Sequence, residues 1–486
     1  MPAPLTTRAQ VNGYRFLLRR LEHALVRRDV RMLHDPMRSQ LRALLVGTVL
    51  GILVLGGCGV YGIIKPQGTV GDAKIVLGKG SGALFVVLGD TLHPVLNLAS
   101  ARLITGSDEA PKSVAENKLS NYPRGPLLGI PGAPASLPGP RSGVDSTWSV
   151  CDTTSGDTVT QTVSTAPAEL GAGIRAAGPA DAALVRPDGS EQTYLIYDGK
   201  RARVDTGSVP VQRGLGLEGQ TPRPISAGLF NTFTEVDPLT VPVIAGRGAP
   251  GPLGRGDAPV GSVIKVPGLD GAVSYYVVLS GGVQRISQVV ADIVRLADPS
   301  GSAEVVSVAP GALSGVRTVQ SLPVADFPQS TPQPADPTAD PVLCSSWSRE
   351  RDADASTRFL IGRGLPLASG ATPVTLTTAD GGGEGTDQVY VPPGTGQFVQ
   401  LTGSEPDSTR AESLFYVSDA GVRYGIADAD TAKVLGLGDK PVRAPWAMVS
   451  LLAAGPSLSR NGALVSHDGM GPDPDGRVAT LPPQGN

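Results

Sequence analysis

The chain is poor in the residues from which metal sites and nucleophilic centres are built. Its 486 residues include four histidines and three cysteines, and aromatics make up only 4%. His23, His34, His93 and His467 lie far apart, and no HExxH or Cys/His cluster has zinc spacing. Neither a metal nor a cofactor is expected. A phosphate loop needs G-x-x-x-x-G-K-[ST] after a strand, so that amides and a lysine can hold phosphates. Gly78-Lys79 is followed by Gly80, and Gly199-Lys200 by Arg201, so neither qualifies. Gly214-Leu-Gly216-Leu-Glu-Gly219 fits GxGxxG but ends a helix-like run, where glycines read as a helix cap. No G-x-S-x-G elbow occurs and the acids are scattered, so no catalytic residue is nominated.

Also missing is any overall basic excess. The net charge is −3, unevenly spread. Residues 1–42 carry nine arginines, no lysine and three acids (Glu22, Asp29, Asp35), a net +6, whereas residues 65–486 carry −9. An acidic body lacks the footprint of a nucleic-acid binder, so no nucleic-acid partner is expected. Between the two regions, residues 43–64 contain no charge at all. At about 1.5 Å per residue they reach roughly 33 Å, enough to cross a hydrocarbon core of about 30 Å. Arginines beside a span stay cytoplasmic, which places residues 1–42 inside and residues 65–465 outside, with inner-membrane lipid as a partner.

Within the span, Leu55-Gly-Gly-Cys58 looks like a lipoprotein cleavage box. The surroundings argue against cleavage: 42 residues precede the apolar run, and Val60–Ile64 continue it past the cysteine. At 100° per residue, Gly47, Gly51, Cys58 and Gly62 fall within a stripe about 60° wide, a face on which another helix can approach closely. In front of the span, Thr6-Thr7 can cap a helix with apolar positions Val11, Tyr14, Leu18, Leu21 and Leu25. Arg15 and Arg19 lie among them, and the pattern is expected to end near His34-Asp35-Pro36. Such a basic amphipathic helix suits docking on a partner or on anionic lipid.

Four segments of the exterior share one layout: residues 83–106, 192–219, 274–298 and 413–439. Each reads as an apolar strand, a tight turn, a short second strand and a helix-like run. The turns are Gly89-Asp90, Asp198-Gly199, Gly281-Gly282 and Asp419-Ala420-Gly421. Asn97, Ser208 and Asp428 are candidate N-caps. A unit this small cannot bury its own apolar face, so the repeats must pack on a shared core. The fold expected is α+β: one transmembrane helix and a large domain of four quasi-repeats around a β-rich centre. Residues 323–341, rich in Pro and Asp, read as an exposed linker, and residues 466–486 as a flexible tail.

Outside the span, the cysteines sit in mirror-image settings, Trp148-Ser-Val-Cys151 and Cys344-Ser-Ser-Trp347. An even pair in an oxidising exterior reads as a disulfide, with two buried free thiols as the alternative.

LTTRAQVNGYRFLLRRLEHALVRRDVRMLHDP, the span ending KPQG, LHPVLNLASARL, GPLLGIPGAP, YYVVLSGGVQRI, GVRYGIADADTAKVLGL and APW together resemble the EccB family. These are core membrane components of mycobacterial type VII (ESX) secretion systems. The resemblance implies an inner-membrane protein with a cytosolic helix, one span and a periplasmic domain of four quasi-repeats joined by a disulfide. It implies periplasmic oligomerisation with further copies of itself. It also implies three kinds of partner: an FtsK/SpoIIIE-type ATPase subunit (EccC), a polytopic subunit (EccD) and a further membrane subunit (EccE). Their shared task would be export of small WxG-type helical proteins. Family members have also been labelled ATPases, for which this chain offers no phosphate loop.

Overall fold

In the computed structural model, residues 7–28, 30, 36–64, 70–138, 145–268, 271–298, 305–350, 353–381 and 385–471 are described. The first helix, Arg8–Arg27, opens on a reciprocal capping box: Thr7 Oγ1 accepts from Gln10 N–H, and the Gln10 side chain accepts from Thr7 N–H. It closes earlier than the sequence pattern suggests, at Arg28 in a left-handed conformation (φ 55°). Pro36 begins the second helix, Pro36–Ile64, where its missing N–H costs no hydrogen bond. His34 and Asp35 lie outside the described residues.

The remaining chain folds as sheets. Each quasi-repeat contains the expected strand, turn, second strand and helix, flanked by further strands. In the second repeat the strand order is Arg223–Ile225, Asp181–Pro187, Tyr194–Tyr197, Lys200–Val204, Thr234–Leu239. The three middle strands are antiparallel neighbours, and both outer strands pair in parallel. The fourth repeat has the same order, with Val442–Pro445 and Ala453–Ala454 at its edges. The first and third repeats keep the four-stranded part and reduce the last strand to the parallel bridges Leu92–Arg124 and Val283–Thr318.

Turn chemistry sets these hairpins. Asp198 and Gly199 both have positive φ (45° and 69°), the left-handed pair a two-residue hairpin turn demands. Asn97 and Asp428 cap their helices by accepting from Ser100 N–H and Thr431 N–H. Ser208 occupies the N-cap position without a side-chain cap bond, and Pro at the start of that helix supplies the fixed φ instead.

Two hairpins, Ser146–Ser155 with Thr158–Ser164 and Val342–Arg349 with Ser356–Gly362, form the middle of a seven-stranded sheet. Their inner strands are antiparallel, in a register that sets Trp148 against Trp347 and Cys151 against Cys344. The mirrored sequences are thus one set of cross-strand pairs. Cys151 and Cys344 form a disulfide between residues 193 positions apart. On one face of the sheet, Trp148, Val150, Leu343 and Trp347 join side chains of the second and fourth repeats in one core.

The outer repeats attach indirectly. The first repeat packs on the fourth, through Ile104 and Ala99 against Leu435 and Tyr416. The third packs on the second, through Val290 and Ile293 against Val211 and Leu215. Gly214 makes the latter contact close: a Cβ there would overlap Ile293. Repeat, hairpin, repeat therefore occurs twice along the chain, and the outer repeat of each half rests on the inner repeat of the other.

Residues 323–341 are not an exposed linker. Val324 and Phe327 are buried in the core shared by the second and third repeats, and Tyr197 Oη donates to the Asp326 carbonyl. Gln333–Pro334 adds a short parallel strand beside Asp181–Pro187. A proline-rich stretch is extended and short of donors, which suits it to a sheet edge as well as to solvent. Likewise Ser466–His467 pairs with Leu127–Leu128, so the tail is anchored at its start; residues 472–486 lie outside the described residues.

Replacing both Cys151 and Cys344 by alanine is expected to lower stability by on the order of 5 kcal/mol in the chain-entropy account. Urea unfolding of the full chain in detergent checks this, and an unchanged midpoint would show that strand pairing alone holds the halves together.

Candidate functional site: assembly surfaces

Docking surfaces are recognised by apolar groups that the fold leaves uncovered. Along the first helix, Tyr14, Leu18, Leu21 and Leu25 are exposed, at 66%, 44%, 61% and 74%. Arg15 and Arg19 are exposed beside them. No other described element buries this row. The second helix runs unbroken through Gly47, Gly51, Cys58 and Gly62, which keeps the four on one face. A Cβ added at any of the three glycines would meet no atom within 4 Å, and Cys58 is an exposed free thiol. Among the described residues one helix, Gln40–Gly62, is long and apolar enough to cross a membrane.

The near-miss phosphate loop has a different occupant. Gly80 N–H and Ser81 N–H both donate to the Glu116 carboxylate, at 2.9 and 2.6 Å. These bonds, the Ser81 ones foremost, hold the Glu116 pKa down to about 2. A carboxylate of the same chain thus takes the amides that a phosphate would need. Of the GxGxxG glycines, Gly216 (φ 65°) follows the helix end, with Leu217 N–H donating back to Gln212 O. That is a helix C-cap, as the sequence suggested. Within the exposed stretch Arg255-Gly256-Asp257, the arginine and the aspartate pair with each other. Among the described residues no cluster of His, Cys, Asp and Glu could hold a metal ion.

Sequence reasoning missed a buried polar seam between the central sheet and the second repeat. Asp152, on the inner strand Ser146–Ser155, accepts from Ser226 N–H and Ser226 Oγ, both at 2.7 Å. Gln161 Nε2 donates to the same Ser226 Oγ, and Gln161 N–H donates to Asp387 Oδ2. Arg223 faces Asp152 and donates to Thr154 Oγ1 (2.7 Å) and to the Asp340 carbonyl (2.8 Å). Burial raises the Asp152 pKa to about 7, against the pull of the Ser226 bonds and the Arg223 charge. Nothing in the sequence marked this aspartate, because its partners Arg223 and Ser226 lie 71 and 74 positions away.

Two further clusters repeat one another. In the second repeat, Arg201 lies over the Phe230 ring at 4.1 Å, with Tyr194 edge-on to Phe230. In the fourth, Arg423 lies 5.3 Å from the Trp446 ring, which also meets Phe415. In both, the second strand of the hairpin supplies the arginine, and a short helix after the fourth strand supplies the ring. The Trp of APW is therefore a packing residue, half exposed at the rim of the sheet core.

The raised Asp152 pKa has a definite pH signature. Between about pH 4 and pH 7 the unfolded chain has ionised this carboxyl while the folded one keeps its proton. Its contribution to stability therefore falls as pH rises through that window and is flat above it. Asp152→Asn holds the neutral form at every pH. Wild type and variant should have similar urea midpoints near pH 4, and the variant should be the more stable at pH 8. A difference that does not change with pH would show that Asp152 does not titrate in that range.

Comparison with known proteins gives these surfaces a context. The family model described as "Type VII secretion system ESX-1, transport TM domain B" matches residues 3–472. The ESX-3 secretion system ATPase EccB3 of Mycolicibacterium smegmatis is 41% identical over 481 residues, covering 96% of this chain and 92% of that protein. The ESX-1 secretion system ATPase EccB1 of Mycobacterium tuberculosis is 36% identical, covering 97% of each. A chain of the intact ESX-5 inner membrane complex superposes with a TM-score of 0.76 at 35% identity, covering 99% of both chains. A chain of the EccB3 dimer from the ESX-3 core complex does so at 0.71 and 39% identity, covering 81% of this chain and 100% of that one. The chain belongs to the EccB family, membrane components of type VII (ESX) secretion systems.

Proposed function

We propose that this protein is a non-enzymatic scaffold of an ESX translocon. Its N-terminus lies in the cytoplasm and its sheet-rich body in the periplasm. The orientation rests on the arginines in front of the span, a net +6 against −9 beyond it. The single observation that carries the scaffold reading is the uncovered apolar row of the first helix. Tyr14, Leu18, Leu21 and Leu25 dock on a cytosolic or membrane-embedded subunit, with Arg15 and Arg19 on its acidic groups or on anionic headgroups. The stripe of Gly47, Gly51, Cys58 and Gly62 packs against a neighbouring transmembrane helix. The body pairs with further copies of itself, as the EccB3 dimer of the ESX-3 core complex does. The partners on this reading are the FtsK/SpoIIIE-type ATPase, the polytopic subunit and the further membrane subunit, and the cargo is small WxG-type proteins.

The second reading, ATP hydrolysis by this chain, is favoured by the names of its relatives, which carry the word ATPase. Against it stands the Glu116 carboxylate on the amides of Gly80 and Ser81. A compartment without ATP surrounds the body in the proposed orientation.

Leu18→Asp with Leu21→Asp in the full chain should abolish co-purification with other secretion subunits while leaving the thermal unfolding of the body unchanged. Undiminished recovery of the complex would overturn docking through the helix. Purified full-length protein should show no ATP turnover above a mock preparation. Turnover that tracks the protein through successive columns would favour the second reading.

A further inference from the structure

The body as a whole is acidic, and some of its cations are paired with acids. Arg175 pairs with Asp181, Lys200 with Asp326, Arg201 with Glu235 and Arg213 with Glu218. At one place three cations without an acidic partner line the same cavity. The edge strand Val442–Pro445 of the fourth repeat runs past the start of Ser146–Ser155, and the end of Val342–Arg349 lies beside it. The seam borders a cavity of about 90 Å³ lined by Ser146, Arg349, Lys440 and Arg443, with Glu350 the one carboxylate among its described lining residues. Among the described residues, none of the three cations forms an ion pair.

Both guanidinium groups are fixed by main-chain oxygens and not by acids. Arg349 Nε donates to the Ala353 carbonyl (2.9 Å), and its Nη1 to the Ser408 carbonyl (3.1 Å). Arg443 Nη1 donates to the Arg410 carbonyl (3.0 Å). Carbonyl partners orient a guanidinium without neutralising it, and its remaining N–H groups keep the planar fork that suits a bidentate oxyanion. Ser146 Oγ accepts from Trp148 Nε1. The volume holds several water-sized groups, the scale of a single tetrahedral anion.

We propose that this seam binds one small oxyanion, a phosphate or the phosphate group of a phosphomonoester. Arg349 and Arg443 supply oriented donors and Lys440 supplies further charge. Glu350 opposes the anion and weakens binding. The same chemistry is offered by free phosphate and by the headgroup of phosphatidate, and the two sources are separable by experiment.

The full chain in detergent is titrated with inorganic phosphate by calorimetry. Its thermal unfolding is also followed in nanodiscs of phosphatidylcholine with and without phosphatidate. Lys440→Gln and Arg443→Gln should each weaken binding about tenfold or more, the scale of one charge-assisted hydrogen bond. Glu350→Gln should tighten it, which a purely structural role for these side chains would not do. Saturable binding of inorganic phosphate with that variant pattern supports the site and a soluble source. A rise in unfolding temperature specific to phosphatidate, without a response to inorganic phosphate but with the same variant pattern, supports the site and a lipid source. No response in either arm, or a response that all three variants leave unchanged, overturns the proposal. Lys440 is exposed and makes no hydrogen bond among the described residues, so its variant keeps the test sound if Arg443→Gln perturbs folding.

Discussion

The sheet-rich body hangs on one antiparallel contact, the pairing of Ser146–Ser155 with Val342–Arg349. It joins strands from the two halves of the chain, and a covalent bond locks it where Cys151 faces Cys344. Loop closure over so long a separation is entropically costly, and the disulfide removes much of that cost from the unfolded side. Trp148 and Trp347, opposite each other in the same register, are fully buried and give the joint sheet its largest apolar side chains. Each such side chain is worth about 1.5–3 kcal/mol when taken from water.

From that contact the arrangement of the repeats follows. The second and fourth repeats share the core under the central sheet, and the first and third rest on them. Each outer repeat thus depends on a half of the chain to which it does not belong. The polar seam around Asp152 and Ser226 lies where the second repeat meets the sheet, and its hydrogen bonds fix that repeat in one orientation. A buried network of this kind contributes specificity of arrangement more than net stability.

Parts of this were legible in the chain and parts were not, for physical reasons. The middle of each repeat declared itself because β-branched strands, positive-φ turns and helix caps are local signals. The fourth strands, such as Lys112–Val114, Arg223–Ile225 and Val306–Ser307, did not. They are two or three residues long, too short for a period-2 pattern, and form by parallel pairing with distant strands. Residues 323–341 misled for a related reason: extended proline-rich chain looks alike whether it lies in water or along a sheet edge. The mirrored Trp and Cys settings were visible, yet only the antiparallel register explains why they are mirrored.

Local sequence suffices to specify the membrane span, its arginine-flanked end, the amphipathic first helix and the fourfold recurrence of the strand-turn-strand-helix unit. All of these depend on residues within a few turns of one another. Long-range packing settles which repeat rests on which, that Glu116 takes the amides of a near-miss phosphate loop, and that Arg349, Lys440 and Arg443 converge on one seam. Those outcomes join residues dozens to hundreds of positions apart, and only the packing of sheets against a common centre brings them into contact.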